Sequence, residues 1–155
     1  MLMVKMKKTL FLAVFVLVSL VSCTTSRSTV SATADLSKYQ YASIVDVVSD
    51  QSSASMVEAE VKIFDALDQS RLQLVGAHRI DELSDEQKDA LLLVRFGVTQ
   101  TEEEAVVSAN FIDYMTGRPV ASCRGAFGLA LDYEGDFNGA LKRVSEQIVK
   151  TFPKQ

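Results

Sequence analysis

The sequence has few of the side chains on which enzyme chemistry most often depends. Its 155 residues include one histidine, His78, two cysteines, Cys23 and Cys123, and no tryptophan. A serine hydrolase would have to use His78 as its general base, and no Gly-x-Ser-x-Gly motif precedes a helical pattern to supply the nucleophile. We therefore expect a protein that is not an enzyme and that requires no cofactor.

Positive charge is also scarce. The 16 lysines and arginines are outnumbered by 20 acidic residues, which gives a net charge of −4. Lys5, Lys7 and Lys8 lie within the first 22 residues, so the rest of the chain has 13 basic side chains against 20 acidic ones, a net charge of −7. Because nucleic-acid binding depends on cationic side chains that neutralise phosphates, the composition predicts no nucleic-acid partner.

The three lysines precede the longest apolar run of the chain, which extends over residues 10–21. As a helix, these residues would span roughly 18 Å, which is well short of the ~30 Å hydrocarbon core of a bilayer. A short apolar run behind a basic segment is typical of a secretory signal peptide rather than of a transmembrane helix. We predict that residues 1–22 are a signal peptide.

The run ends in Leu20-Val21-Ser22-Cys23, which resembles the lipobox of bacterial lipoproteins. The resemblance implies cleavage between Ser22 and Cys23, a diacylglycerol on the Cys23 sulfur, and a fatty acyl chain such as palmitate on the new N-terminus. Several acyl chains make a stable membrane anchor. Because Thr24 and not an aspartate follows, the resemblance also implies an outer-membrane lipoprotein that faces the periplasm. An ordinary cleaved signal is the alternative.

Cys123 would then be the remaining thiol, and a single thiol cannot form an internal disulfide. Alternation along its predicted strand places Cys123 on the apolar side, together with Ala121 and Phe127. This pattern favours a small buried residue over a thiol nucleophile or an intermolecular disulfide.

The segment after the cysteine and the rest of the chain differ in pattern. Residues 24–36 are mostly Thr, Ser, Arg, Val and Ala without periodicity, which predicts a flexible tether that reaches at most about 45 Å. Residues 23–36 therefore read as a lipidated cysteine with its tether. Residues 37–155 read as one domain, a length sufficient for one hydrophobic core.

The hydrophobic pattern of residues 37–155 predicts an α+β fold with two layers. The expected element order is β-α-β-β-β-α, which gives a mixed five-stranded sheet with two helices on one face. The first helix would be capped by Ser55, with Val57, Val61 and Phe64 on its buried stripe and Ile63 and Leu67 beside it, and Asp136 would cap the second. The predicted strands are Tyr41–Val48, Leu72–Val75, Leu91–Val98, Ala105–Tyr114 and Pro119–Gly128.

The hairpin between the last two strands contains Asp113-Tyr114-Met115-Thr116-Gly117. This phrase, together with the element order after a lipobox, resembles small bacterial envelope lipoproteins. These include the curli-secretion lipoproteins, the lipoprotein activators of penicillin-binding proteins, and the N-terminal domain of the Tol–Pal propeller protein. The resemblance implies an interaction or assembly module with an envelope protein as its unidentified partner.

Two sets of residues are candidate binding sites. Ile112, Tyr114, Val120 and Arg124 alternate outward on the last two strands and could form a face that binds a partner, although a second buried face is equally consistent with the pattern.

Acidic residues before the last helix, Asp132, Glu134 and Asp136, are a weak candidate for calcium. Phe137 and Arg143 stand where a calcium loop requires Gly and Glu, and acidic residues are expected at a helix N-terminus in any case. We therefore predict no metal site, with a calcium-binding or small-ligand-binding periplasmic lipoprotein as the alternative function.

Overall fold

A computed structural model describes residues 24–45, 54–130 and 132–154. The predicted signal peptide, the cleavage site at Ser22 and the lipidation site at Cys23 lie outside these ranges, as do residues 46–48 of the first predicted strand. Among the described residues, no helix combines the length and the hydropathy that crossing a bilayer requires.

The strands form a single mixed sheet, which confirms the α+β class but contains six strands where five are predicted. In chain order they are β1 (Thr24–Val30), β2 (Tyr41–Ile44), β3 (Gln73–Leu74), β4 (Leu91–Gln100), β5 (Ala105–Asp113) and β6 (Pro119–Phe127). Their order across the sheet is β1-β6-β5-β4-β2-β3. Strands β4, β5 and β6 pair antiparallel with their neighbours in chain order and form a meander.

The other half of the sheet contains a parallel strand–helix–strand unit. β2 pairs parallel with β3 and, on its other side, parallel with β4. Helix α1 (Ala54–Gln69) connects β2 to β3. A short helix, α2 (Asp85–Asp89), precedes β4, and a reciprocal Ser84–Gln87 capping box caps its N-terminus. Two 3₁₀ turns cover Leu36–Lys38 and Ala77–Glu82.

The long C-terminal helix α3 (Tyr133–Thr151) lies on β6, β5 and β1 and also contacts α1. The approach to β6 is close: a Cβ placed on Gly125 would stand 2.3 Å from the Ala140 carbonyl oxygen and 2.5 Å from the Val144 nitrogen. Glycine therefore lets the α3 backbone rest directly on the strand.

One hydrophobic core fills the space between the sheet and the two long helices. Phe111 of β5 and Phe152 at the end of α3 meet there with ring centroids 4.8 Å apart. The face that α1 buries agrees only in part with the prediction. Val57, Val61 and Phe64 are each about half exposed, at 52%, 54% and 51%. The helix buries Ile63 and Leu67, which were predicted beside this stripe, together with Ala59 and Ala66.

The prediction of a flexible tether is wrong for Thr24–Val30, because these residues form β1 and pair with β6 along their whole length. Two of their inward side chains, those of Ser26 and Ser28, are hydroxyls rather than hydrophobic groups. Ser28 Oγ lies 2.8 Å from Thr151 Oγ1, and Gln147 Nε2 donates to Ser26 Oγ at 3.2 Å. Hydrogen bonds to α3 thus hold the inner face of this edge strand.

Two predicted helix caps are also wrong. Ser55 lies within the first turn of α1 and does not precede it. Asp132, not Asp136, caps α3, and its Oδ1 accepts a hydrogen bond from the Gly135 nitrogen at 2.7 Å. Asp136 instead accepts one from the Ala130 nitrogen at 2.8 Å and so fastens the loop that leads into the helix.

Candidate interaction surface

The sheet face opposite the two long helices carries exposed and half-buried side chains over β4, β5, β6 and β1. We call this part of the sheet the open face. The strand register aligns its outward residues in rows across the strands. One row is Arg95, Asn110, Ser122 and Thr29, and the next row, closer to the start of β1, is Gly97, Ser108, Arg124 and Arg27.

Three arginines stand out on the open face because the whole chain is acidic. Arg27 and Arg95 are exposed, and the Arg124 side chain is 42% exposed. Arg27 lies directly opposite Arg124 in the β1–β6 pairing, a position where Cβ atoms are about 4.5–5.5 Å apart. Like charges opposite each other destabilise a strand pair. The open face therefore concentrates positive charge that the free domain incompletely neutralises.

Hydrogen bonds and an ion pair connect the polar side chains of the open face to one another and to Glu104. Ser122 Oγ donates to Asn110 Oδ1 at 2.7 Å. Arg124 Nη1 donates to Thr25 Oγ1 at 3.2 Å, and Arg124 Nη2 lies 3.7 Å from Glu104 Oε1. Glu104 thus partly offsets Arg124, and no carboxylate in the part of the chain described here pairs with Arg27 or Arg95. The arrangement suits an anionic group seated among arginines, hydroxyls and amides.

The four residues predicted for partner binding have different positions. Arg124 lies on the open face, Ile112 is half-buried in β5, and Tyr114 is half-buried in the turn that follows. Val120 is only 4% exposed and belongs to the core, so its predicted outward position is wrong. The cause is a register shift at Phe111 and Ile112. Phe111 pairs with Ala121, but Ile112 pairs with Pro119. The extra residue turns Val120 inward, as β-bulges do.

A second polar cluster forms around Asp113 at the far end of the meander. This carboxylate is 4% exposed and is the buried acid among the described residues. Its Oδ2 accepts hydrogen bonds from the Tyr39 hydroxyl at 2.8 Å and from Lys38 Nζ at 3.4 Å. Its Oδ1 accepts from the Thr116 backbone nitrogen at 2.8 Å and from Thr116 Oγ1 at 3.0 Å. The family-like hairpin phrase therefore has a structural explanation: its Asp and Thr close the turn, and Gly117 supplies the positive φ of 67°.

The Asp113 cluster has shifted proton affinities but no open cleft. Burial raises the pKa of Asp113, but the hydrogen bonds from Tyr39, Thr116 and Lys38 outweigh it, so the net pKa is lowered. Burial and the hydrogen bond to Asp113 raise the pKa of Tyr39. All polar atoms of this carboxylate have protein partners. The cluster therefore fixes the fold, and the sequence signal for it was the Asp-x-x-Thr-Gly spacing.

The three acidic residues considered for calcium lie at the N-terminal end of α3. Asp132 and Asp136 accept the backbone hydrogen bonds described above, and Glu134 is exposed in the first turn. Within the ranges that the structure describes, no three His, Cys, Asp or Glu side chains converge on a point where a cation could bind.

Cys123 occupies the buried position that the sequence predicted. Cys123 is fully buried, and its Sγ lies 3.5 Å from Thr151 Oγ1. Burial raises the pKa of its thiol, although Thr151 and Ser28 partly oppose that effect. A raised pKa and full burial both make a thiol unreactive. His78 is exposed in the 3₁₀ turn after β3.

An open groove of about 680 Å³ runs between α1 and α3. Its rim carries charges of both signs, from Lys62, Asp65, Lys142 and Glu146. Apolar contacts at its floor come from Ala66 and Leu141, which are buried in the core. The groove lacks a convergent set of buried polar groups of the kind that orients a small ligand.

No protein-family model and no curated protein matches the sequence. Among solved structures, the PelC dodecamer from Paraburkholderia phytofirmans has a TM-score of 0.47 at 17% identity. That match covers 85% of this chain and 99% of the PelC chain. A PDZ domain protein from Parabacteroides distasonis has a TM-score of 0.58 at 12% identity, and the match covers 84% of this chain and 36% of that protein. The second similarity concerns the fold alone. Neither structure is one of the lipoproteins that the hairpin resembles, and that resemblance stays a prediction.

Proposed function

We propose that the chain is a bacterial outer-membrane lipoprotein, anchored through acyl chains on Cys23, whose domain is a non-enzymatic protein-interaction module. Its partner is an envelope protein that presents an acidic segment to the open face. The observation that carries the proposal is the placement of Arg27, Arg95 and Arg124 on one exposed sheet face of an acidic chain.

The electrostatics of the arginine pair favour an anionic occupant. Two cations directly opposite on neighbouring strands repel each other in the free domain. A carboxylate that binds between Arg27 and Arg124 removes this repulsion and accepts charge-assisted hydrogen bonds from both guanidinium groups. Asn110 and Ser122 then offer neutral hydrogen-bonding groups on the adjacent row.

The anchor is tested through the cysteine itself. In cells, Cys23→Ala should release the protein from the membrane fraction, and globomycin, which blocks lipoprotein signal cleavage, should retard its migration on a gel. Cys123→Ala is the matched control, because this thiol is buried in the core and should leave the membrane association unchanged. A Cys23→Ala protein that stays with the membranes would contradict lipid anchoring.

The binding face is tested by photo-crosslinking in cells. A benzophenone amino acid in place of Asn110, which is exposed on the open face, should capture a discrete protein adduct. The same amino acid in place of Asp65, exposed on α1 in the helical layer, is the control and should not capture that adduct. Equal adducts from both positions would show that the open face has no special role.

Charge reversal tests the chemistry of the partner. The double substitution Arg27→Glu and Arg124→Glu should abolish the Asn110 adduct, whereas Lys62→Glu and Lys142→Glu, on the helical layer, should leave it in place. Because the attraction is between exposed charges, raising the ionic strength should weaken capture as well. Capture that survives both treatments would rule out recognition of an acidic segment.

A further inference from the structure

The start of β1 fixes where the chain leaves the domain toward Cys23. Thr24 pairs with Phe127, Phe127 pairs with Ala105, and Ala105 pairs with Gln100. These four residues form the last row at one end of the sheet. Consecutive Cα atoms are about 3.8 Å apart across a trans peptide bond, so the residue that precedes Thr24 in the chain is attached at this row. Acyl chains on Cys23, as proposed above, would therefore enter the bilayer beside it.

Exposed apolar side chains lie at the same end of the sheet. Leu129, two residues after β6, is 52% exposed, and Tyr133, at the start of α3, is 57% exposed. The loop that carries Leu129 packs on the β4–β5 turn, since a Cβ on Gly128 would stand 2.2 Å from the Glu103 carbonyl oxygen. This end is thus a defined surface made of two loops that touch and a helix start.

We propose that this end of the sheet docks on the surface of the bilayer, with Leu129 and Tyr133 seated among the lipid headgroups. The proposal rests on the proposed lipidation of Cys23. At this depth the apolar side chain of Leu129 is removed from water, which is favourable. The ring of Tyr133 enters the apolar layer while its hydroxyl stays hydrated. The strands are then roughly perpendicular to the bilayer, so the open face does not face the membrane and stays accessible to a partner in the periplasm.

The charge at this end selects the kind of lipid. Glu102 and Glu103 in the β4–β5 turn and Glu134 in α3 are exposed acids. Asp132 and Asp136 add two more charges, although both accept backbone hydrogen bonds. An anionic bilayer repels such a surface at low ionic strength. A zwitterionic surface is therefore the one that fits.

Fluorescence quenching by brominated lipid tests the orientation. The chain has no tryptophan, so each substitution introduces a single fluorophore of its kind. The lipidated full-length protein, purified from bacterial membranes, is reconstituted into vesicles of phosphatidylcholine brominated on the acyl chains. Leu129→Trp is compared with Met115→Trp, which is 58% exposed in the turn at the opposite end of β5. A nine-residue strand separates the two positions by about 27 Å.

The expected result is loss of most of the tryptophan emission from Leu129→Trp, with the emission of Met115→Trp unchanged. Replacing part of the phosphatidylcholine by phosphatidylglycerol should reduce the quenching of Leu129→Trp, and added salt should restore it. Equal quenching at both positions, quenching only at Met115→Trp, or quenching at neither would overturn the docking proposal. Flotation of the vesicles separates the two failures: protein that floats without quenching is anchored but undocked, and protein that does not float contradicts the lipid anchor itself.

Discussion

The Tyr39 hydroxyl donates a 2.8 Å hydrogen bond to the buried carboxylate of Asp113, which lies 74 residues further along the chain. This bond connects the segment before β2 to the end of β5. Arg71 reinforces the same segment, because its guanidinium donates to the backbone carbonyls of Leu36 and Tyr39 and lies 5.7 Å from the centroid of the Phe152 ring. Residues 36–39 thus link the far end of the meander, the start of β3 and the end of α3.

Tyr39→Phe should lower the free energy of unfolding by about 1.5–3 kcal/mol, because it removes a hydrogen bond to a buried charged group. Tyr41→Phe is the matched control: the Tyr41 hydroxyl is contacted only at 3.4 Å by Gln87 Nε2, and its loss should cost less than about 0.5 kcal/mol. Urea unfolding of the soluble chain 24–155 measures both. Equal losses for the two variants would show that the Tyr39–Asp113 bond contributes little.

Asp113→Asn should be more damaging, by about 3–5 kcal/mol, because it removes the charge that four donor groups of Lys38, Tyr39 and Thr116 share. The loss should not add to that of Tyr39→Phe, since the two side chains belong to one network. A double-mutant cycle in urea measures the coupling. A coupling energy of zero would mean that the two residues stabilise the fold independently.

The free energy of unfolding should fall at both extremes of pH, because Asp113 and Tyr39 have shifted pKa values in the folded protein. The pKa of Asp113 is lowered in the folded protein, so its contribution is fully present above its ordinary value of 3.8 and is lost as the pH falls through the lowered pKa. The pKa of Tyr39 is raised, so its contribution is fully present below its ordinary value of 10.0 and is lost as the pH rises toward the raised pKa. Thermal unfolding across this range should flatten at the acid end in Asp113→Asn and at the alkaline end in Tyr39→Phe. An unchanged pH profile in both variants would contradict this assignment.

Gly125→Ala should strongly destabilise the fold, because the new methyl group would stand within 2.3–2.5 Å of the α3 backbone, which cannot yield as a flexible side chain can. We expect a loss of at least about 2 kcal/mol in the free energy of unfolding. Gly97→Ala is a control within the same sheet, since its methyl group would meet only Ser108 Oγ, at 3.7 Å. This second change should be neutral or slightly stabilising. Similar midpoints for the two variants in urea would refute the close contact between α3 and β6.

Cys123 should resist alkylation in the native protein and react only after unfolding, because it is buried and its pKa is raised. Mass spectrometry after brief exposure to iodoacetamide, with and without urea, distinguishes the two states. Ser28 of β1 lies opposite Cys123 of β6 in the strand pairing. Ser28→Ala should modestly speed the labelling of Cys123 in the native protein, because it loosens the edge strand that covers this thiol. Fast labelling of the unsubstituted native chain would contradict the burial.

The meander was predictable because its strands alternate strongly. Val107, Ala109 and Phe111 point to the core in β5, and Val94 and Phe96 do so in β4. Each alternation fixes one strand face without any knowledge of its neighbours. The position of Val120 was not predictable in the same way, because a β-bulge depends on how two strands pair and leaves no period in either one.

β1 escaped prediction because its inner side chains are Ser26 and Ser28, which meet polar groups of α3 and give no hydrophobic alternation. The alanines of the buried face of α1 escaped prediction for a related reason. Ala59 and Ala66 carry less hydrophobic signal than Val57 or Phe64, yet small side chains are the ones that allow a helix to lie close to its neighbours. The same contrast applies to the candidate binding face. Arg124 could be identified from the alternation along β6 alone, whereas Arg27 could not be identified because β1 was not predicted.

The pairing of β1 with β6 also determines how the domain bears mechanical load. The anchor that we propose at Cys23 would pull on the first residue of β1, along the axis of a seven-residue edge strand. Tension between the membrane and a partner held on the sheet would load the backbone hydrogen bonds of this ladder in shear, all together, instead of peeling them apart one after another. With the proposed anchor in place, β1 would therefore transmit force from the membrane into the sheet.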